Sequence, residues 1–105
     1  MRALVKLAAL HRRRLVIPAP VVSQAWRDGS RQVALARLLK MDIVEVPPLD
    51  EARCRSIGAL CGRSRTNDVV DAMVALTARR ENAVVISSDP DDLHALDPQL
   101  TVQRV

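Results

Sequence analysis

The sequence predicts a single domain of the α/β class, in which helices and short strands alternate over all 105 residues. Helical and extended apolar patterns take turns along the chain, which favours parallel strands in a layered arrangement. Hydrophobic residues make up 49% of the chain and are mainly Ala, Val and Leu, enough for one packed core. Because no repeat, low-complexity stretch or long linker divides it, we expect one domain over residues 1–105.

The first half of the chain begins with a leucine pattern. Leu4, Leu7 and Leu10 recur at three-residue spacing between basic residues, which indicates a helix. Pro18 stops the short apolar run that follows, and Pro20 suits the first turn of a further helix. The pattern predicts a helix over residues 1–13, a strand over 15–17, helices over 21–27 (ending near Gly29) and 31–40, and a strand over 42–46.

Capping signals organise the second half. Asp50 suits the N-cap of a helix that Gly62 ends. Thr66 or Asn67 suits the N-cap of the next helix, and Asn82 suits its end. The pattern predicts helices over residues 51–60 and 68–80, a strand over 83–86, a short helix over 90–96 and a strand over 101–105.

The composition excludes several kinds of protein. Trp26 is the one aromatic residue, which argues against domains that stack bases on aromatic side chains. No apolar run approaches the roughly 18 residues of a membrane span, and no small-residue cleavage site follows the cationic N-terminal segment. Cys54 and Cys61 lie about two turns apart in one predicted helix, too far for a disulfide. We interpret both as small buried thiols and expect a reducing, cytoplasmic location.

Charge is distributed unevenly along the chain, whose formal net charge is +4. Residues 1–40 contain nine basic residues and one acid, Asp28, whereas residues 67–97 contain seven acids and two arginines. A metal-dependent nuclease needs such a division, because phosphates bind Lys and Arg while the metal lies where one phosphate is cut. Any single arginine has the simpler interpretation of a solvated surface residue.

Two acidic clusters near the C-terminal end carry the strongest functional signal. Asp68 and Asp71 open a predicted helix, and Asp89, Asp91 and Asp92 follow an apolar strand. Helix starts and strand ends converge at the edge of an α/β sheet, where such folds place their ligands. Carboxylates without neighbouring Cys or His ligands suit hard cations such as Mg²⁺ or Mn²⁺.

These acids also have structural interpretations. Asp68 and Asp71 share one face of the first helical turns, where the dipole favours carboxylates, so Asp68 could serve as a capping residue alone. Asp71 borders the apolar segment 72–76, where an unpaired charge is costly, which favours a functional role. Asp89 suits the N-cap of the helix that follows it, and Asp92 could complete a capping box or support a metal site.

The two acidic clusters belong to a longer motif. An Asp-Ala-x-x-Ala helix start, an apolar strand, Ser-x-Asp and an Asp-Leu pair occupy residues 71–75, 84–89 and 92–93. This motif resembles the C-terminal half of PIN domains of the VapC toxin type. Residues 18–27, where a short strand enters a helix, are also similar to the PIN segment that carries a metal-site glutamate. The resemblance covers roughly residues 3–105.

The resemblance implies a three-layer α/β/α sandwich with a central parallel sheet, in which acids hold Mg²⁺ or Mn²⁺ and RNA is cleaved. Asp71 and Asp89 match the family's third and fourth acids, which implies that both are catalytic and hold the metal. Asp92 and Asp68 match less regular auxiliary acids, and Ser87 matches a polar position beside the site. Such toxins usually bind a small antitoxin protein and form homodimers, so both partners are expected besides the RNA substrate.

Two departures from the family pattern stand out. Gln24 occupies the position of the second acid, and a neutral oxygen ligand would hold the metal more weakly. The family's first acid ends a strand that would precede the helix predicted at residues 1–13, and neither is found in this sequence. We therefore expect an N-terminally incomplete domain, begun too late, with little nuclease activity unless extended. We also expect an unpaired strand edge along residues 84–86 that invites another chain.

Two functions compete. The first is a metal-dependent endoribonuclease of the VapC type. The alternative is a degenerate, non-catalytic PIN-like module that binds an antitoxin or a second copy of itself, which Gln24 and the absent first acid favour. A response-regulator-like Mg²⁺ domain fits less well, because no acid pair follows the strand at residues 15–17. For the nuclease, the residues expected to contact the RNA backbone without reading its sequence are Arg12, Arg13, Arg14, Arg27 and Arg31.

Overall fold

Helices and short strands alternate in the computed structural model, which describes residues 3–4, 15–87 and 89–104. The strands in this part of the chain are β1 (Ala3–Leu4), β2 (Leu15–Val16), β3 (Val44–Glu45), β4 (Val85–Ser87) and β5 (Val102–Arg104). The helices are α1 (Ala19–Trp26), α2 (Gly29–Leu39), α3 (Glu51–Ser64), α4 (Val69–Glu81) and α5 (Pro90–Leu96). The predicted α/β class is confirmed. None of the described helices is long and apolar enough to cross a membrane.

The strands pair into two short sheets. β2 is parallel to β3, with Leu15 opposite Val44. β4 lies between β5, to which it is parallel, and β1, to which it is antiparallel. The parallel pairing expected from helix–strand alternation is therefore present, but the described residues form no single continuous central sheet.

The N-terminal segment differs from the helix predicted over residues 1–13. Ala3–Leu4 is a strand, and the other residues of that range lie outside the described part of the chain. Ala3 pairs with Ser87 and Leu4 with Ile86, so the β4 edge expected to be unpaired has a backbone partner there. Both expectations were wrong at these residues, because leucine spacing reports only local preference. The N–H and C=O groups of a strand edge can pair with any extended segment that reaches them.

Side-chain capping sets the start of α2. The Asp28 carboxylate accepts hydrogen bonds from the backbone N–H groups of Ser30 and Arg31, which would otherwise have no partner within the helix. Gly29, near which the preceding helix was predicted to end, is the first residue of α2. The predicted end of the preceding helix is confirmed to within a few residues, because α1 ends at Trp26.

The ends of α3 and α4 use left-handed residues. Arg65 ends α3 with φ of 56°, so the helix runs through Gly62 rather than ending there. Glycine inside a helix costs only about 1 kcal/mol of stability relative to alanine, and packing of the helix outweighs this cost. Asn82 ends α4 with φ of 51°, as predicted. On α3, Cys61 is buried as expected but Cys54 is exposed, because residues 51–56 extend largely beyond the core.

Helix α4 is the most enclosed of the described helices. Ala72 and Val74 have no exposed surface, and Met73, Ala75 and Ala78 are almost fully buried. The helix packs against α3 on one side and α5 on another. This enclosure fixes the position of its first turn, where the acidic residues of the first cluster lie.

Candidate metal and nucleic-acid site

Asp68 is the N-cap of α4. Its Oδ1 accepts a hydrogen bond from the backbone N–H of Asp71 at 3.0 Å. The Thr66 hydroxyl, proposed from the sequence as an N-cap group, instead accepts from the N–H of Asp68 at 3.2 Å. The capping interpretation of Asp68 is therefore confirmed. One of its carboxylate oxygens is committed to the helix, and the other is available for a ligand.

A cavity of about 310 Å³, here called the carboxylate cavity, lies between the end of α3, the start of α4 and α5. Three carboxylates line it: Asp68, Asp71 and Asp92. Gln24, half-buried on α1, does not line it. The remaining lining residues are Ser64, Thr66, Asn67, Ala95 and Leu96. The cavity thus collects acids from both clusters without a basic side chain among its lining residues.

Asp89 lies outside the lining of the carboxylate cavity. It is half-buried at the N-cap position of α5, where its backbone N–H donates to the Oγ of buried Ser87 at 2.9 Å. Its side chain makes no capping hydrogen bond, so the side-chain capping suggested by the sequence is not observed. Asp92 likewise completes no capping box. A metal site shared by Asp71 and Asp89 stays a prediction, whereas Asp71, Asp68 and Asp92 do meet at one cavity.

The donor chemistry of the carboxylate cavity suits a hard divalent cation. Its polar lining offers carboxylate, hydroxyl and amide oxygens, which are the ligands that Mg²⁺ and Mn²⁺ prefer. No set of three His, Cys, Asp or Glu side chains in the described ranges is arranged closely enough to hold a metal by itself. Mg²⁺ commonly keeps several waters and binds through one or two protein carboxylates together with substrate phosphates.

Of the predicted RNA-binding arginines, the two that the structure describes do not line this cavity. Arg27 and Arg31 are exposed near the junction of α1 and α2, and neither lines it. The Arg31 Nε lies 3.7 Å from the Asp28 carboxylate, and Arg27 borders a separate open cavity of about 580 Å³ beside Trp26. The predictions for Arg12, Arg13 and Arg14 fall outside the described residues.

Sequence reasoning missed two arginines beside the carboxylate cavity. An adjoining cavity of about 330 Å³ shares Ser64 and Leu96 with it and is lined by Arg63 and Arg79. The Arg79 Nη1 lies 3.0 and 3.2 Å from the two carboxylate oxygens of Asp97. Arg63 forms no ion pair within the described part of the chain. This neighbourhood depends on how α3 packs against α5, which no local sequence pattern reports.

Comparison with known families gives one match. A family model described as PIN domain matches residues 2–97 of the chain, a range that contains both acidic clusters. Comparisons with curated proteins and with solved structures find no match.

Proposed function

The chain belongs to the PIN domain family, and from that premise we propose that it is a metal-dependent endoribonuclease of the VapC toxin type. The family supports a nuclease-like fold in general. The observation that carries the finer proposal is the carboxylate cavity, where Asp68, Asp71 and Asp92 line one space of about 310 Å³. A concave site lined by oxygen ligands is suited to bring a divalent ion to a phosphate.

Asp71 and Asp92 are the proposed principal ligands of Mg²⁺ or Mn²⁺. The free oxygen of Asp68 supports the site, while its other oxygen holds the first turn of α4 in place. Ser87, the last residue of β4, and Asp89 beyond it would extend the ligand set, as the family resemblance implies. Gln24 would be at most a neutral ligand. When bound, the ion supplies Lewis acidity at the scissile phosphate and lowers the pKa of a coordinated water.

The chain's own cations would bind the substrate. Arg63 is the proposed phosphate contact, because it borders the cavity adjoining the carboxylates and has no carboxylate partner among the described residues. Arg79 is already paired with Asp97, so it is not proposed as a direct contact to the RNA. Arg27 and Arg31, on another part of the surface, would contact a longer RNA at a distance from the cut. Such contacts position the backbone and read no sequence.

We propose a small antitoxin protein and a second copy of the chain as partners. Support comes from exposed apolar side chains along α2 and beside it: Trp26 is 44% exposed, Val33 56% and Met41 45%. Exposed apolar side chains mark an interface where they form a contiguous patch. Sedimentation of the purified chain tests self-association, and a monomer at all concentrations would contradict the homodimer.

RNA cleavage with matched variants tests the enzymatic proposal. Purified chain is incubated with end-labelled RNA, with and without Mn²⁺, and with Asp71→Asn and Asp91→Asn variants. Asp91 is the control, because it lies exposed in the first turn of α5 and does not line the carboxylate cavity. Because Gln24 replaces an acid of the family pattern, we expect only weak Mn²⁺-dependent cleavage. Asp71→Asn should lower it further, by up to about 100-fold, as losing a metal-site group does, and Asp91→Asn should leave it nearly unchanged.

Two results would contradict this reading. Cleavage that persists in chelator, or that both variants lower equally, would separate activity from the carboxylate cavity. Absence of cleavage, together with binding of a partner protein, would instead support the non-catalytic PIN-like module.

A further inference from the structure

A second cavity lies between α3 and α4, apart from the carboxylate cavity. Its volume is about 380 Å³, and none of its lining residues lines the carboxylate cavity. Arg80, which borders it, follows Asp71 by nine residues. At 3.6 residues per turn this is about two and a half turns, so the two side chains project from opposite sides of α4. The second cavity is therefore a separate site, here called the α3–α4 cavity.

The interior of the α3–α4 cavity is mainly apolar, and two hydroxyl side chains line it. That of the exposed Ser56 donates to a backbone carbonyl of α3 at 3.2 Å. Ile57 and Met73 are buried, and Leu76 packs against the core. Thr77, which is only 3% exposed, also lines the cavity but makes no side-chain hydrogen bond to the described residues. Among those residues no fully buried side-chain oxygen or nitrogen lacks a partner. The small accessible part of Thr77 therefore includes its hydroxyl, which is available to a molecule in the cavity.

Two guanidinium groups border this interior. The Arg53 Nη1 donates to the Pro48 carbonyl oxygen at 2.9 Å, which directs the group and leaves its other N–H donors for a ligand. The Arg80 Nε lies 3.8 Å from a Glu81 carboxylate oxygen, a distance too long for a hydrogen bond. Asp50 is the one acid in the lining, and its Oδ1 already accepts from the N–H of Arg53 at 2.8 Å. The entrance therefore favours an anion.

We propose that the α3–α4 cavity binds a small organic anion with an apolar body. Its carboxylate or phosphate lies between Arg53 and Arg80, its body contacts Met73 and Leu76, and the Thr77 hydroxyl hydrogen-bonds a polar atom of the body. Pockets for such ligands span roughly 300–1,000 Å³, combine apolar walls with a few placed polar groups, and exclude much of the ligand from water. The site is independent of the nuclease proposal and of its metal.

NMR titration with three probes tests this site. Benzoate, phenyl phosphate and inorganic phosphate are added separately to ¹⁵N-labelled chain, and the backbone amide signals of Thr77 and Arg80 are followed. We expect saturable shifts with at least one ring-bearing anion, whose identity distinguishes a carboxylate ligand from a phosphate ligand. Inorganic phosphate, which lacks the apolar body, should bind at least tenfold more weakly, the equivalent of one well-buried group.

Substitutions connect the shifts to the cavity. Arg80→Ala should weaken binding about tenfold, because it removes a charge-assisted hydrogen bond, and Thr77→Val, which keeps the shape but not the hydroxyl, should weaken it several-fold. Arg55→Ala is the control: Arg55 lies on α3, pairs with Glu51 at 2.6 Å and does not line the cavity. Circular dichroism checks folding, and Arg80→Gln replaces Arg80→Ala if the latter unfolds.

Three results would overturn the proposal. These are the absence of saturable shifts at Thr77 and Arg80 with both ring-bearing anions, equal affinity for inorganic phosphate, and equal effects of the Arg80 substitution and Arg55→Ala.

Discussion

Replacing Asp68 separates the capping role of this residue from its proposed role at the metal. Asp68→Ala removes the 3.0 Å hydrogen bond to the backbone N–H of Asp71 and leaves the other bonds of the turn in place, including that from Ala72 N–H to the Asp68 carbonyl. Loss of an N-cap side chain costs about 1 kcal/mol of unfolding free energy. For a domain near 100 residues, this lowers the melting temperature by roughly 4–8 °C.

Asp68→Asn is the matched variant. Asn caps helices about as well as Asp, so only the interaction of the charge with the helix dipole is lost, about 0.3–1 kcal/mol. Both variants lose the carboxylate that faces the cavity, so both should weaken Mn²⁺ binding to a similar extent. Metal affinity should therefore fall in both variants, whereas stability should fall further in Asp68→Ala than in Asp68→Asn.

Urea unfolding followed by circular dichroism gives the free energies, and calorimetric Mn²⁺ titration gives the affinities. Asp91→Ala is the control, since Asp91 is exposed and makes no side-chain hydrogen bond within the described ranges; surface changes of this kind stay within about 0.5 kcal/mol. Equal destabilisation by Asp68→Ala and Asp68→Asn would refute the capping argument. Unchanged Mn²⁺ affinity in both would remove Asp68 from the metal site.

Three further predictions concern other parts of the chain. Leu93→Ala, at a side chain only 1% exposed on α5, should lower the unfolding free energy by about 2–5 kcal/mol in the same urea assay; a loss below 1 kcal/mol would mean that α5 is not docked on the core. The Ser30 hydroxyl, followed by the Arg31 N–H, lowers the pKa of Asp28. The Asp28 carboxylate should therefore stabilise the fold fully above the ordinary pKa of aspartate. This stabilisation should be lost as the pH falls through the lowered pKa of Asp28. Asp28→Asn should flatten this acid limb in unfolding curves, and an unchanged limb would contradict the assignment. Arg63→Ala should weaken RNA binding and reduce the slope of log affinity against log salt by about one, whereas Arg55→Ala should change neither.

The predictable elements of the fold are those decided by local chemistry. α5 has the predicted bounds, Pro90–Leu96, and its start follows from a signal that acts within a few residues, a proline at the first helical turn. Asn82 ends α4 for the same kind of reason, since asparagine tolerates the left-handed region. The pairing of Ala3–Leu4 with β4 was not predictable, because it joins segments more than 80 residues apart and no local pattern selects the partner.

The residues of the candidate site likewise include some that local sequence signals predict and others that only helix packing brings together. Asp68 and Asp71 could be predicted from the sequence because both lie at the start of one helix. A carboxylate next to the buried Ala72 is costly unless it is paired or binds a ligand, which marks Asp71 as a functional candidate. That Asp92 rather than Asp89 lines the same cavity depends on how α5 packs against α4. Arg63 could not be predicted, because its position beside the acids follows from helix packing. The excess of basic residues in the first 40 positions, by contrast, is visible in the sequence alone.

Paramagnetic broadening by Mn²⁺ tests the central claim, that the carboxylate cavity holds a divalent ion. Mn²⁺ is added in small steps to the ¹⁵N-labelled chain, and excess Mg²⁺ is then used to displace it. We expect amide signals of Asp71 and Asp92 to broaden first, those near the exposed Glu51 to broaden last, and Mg²⁺ to restore the signals. Broadening centred on other acids, or none at concentrations that support family nucleases, would contradict a metal site at this cavity.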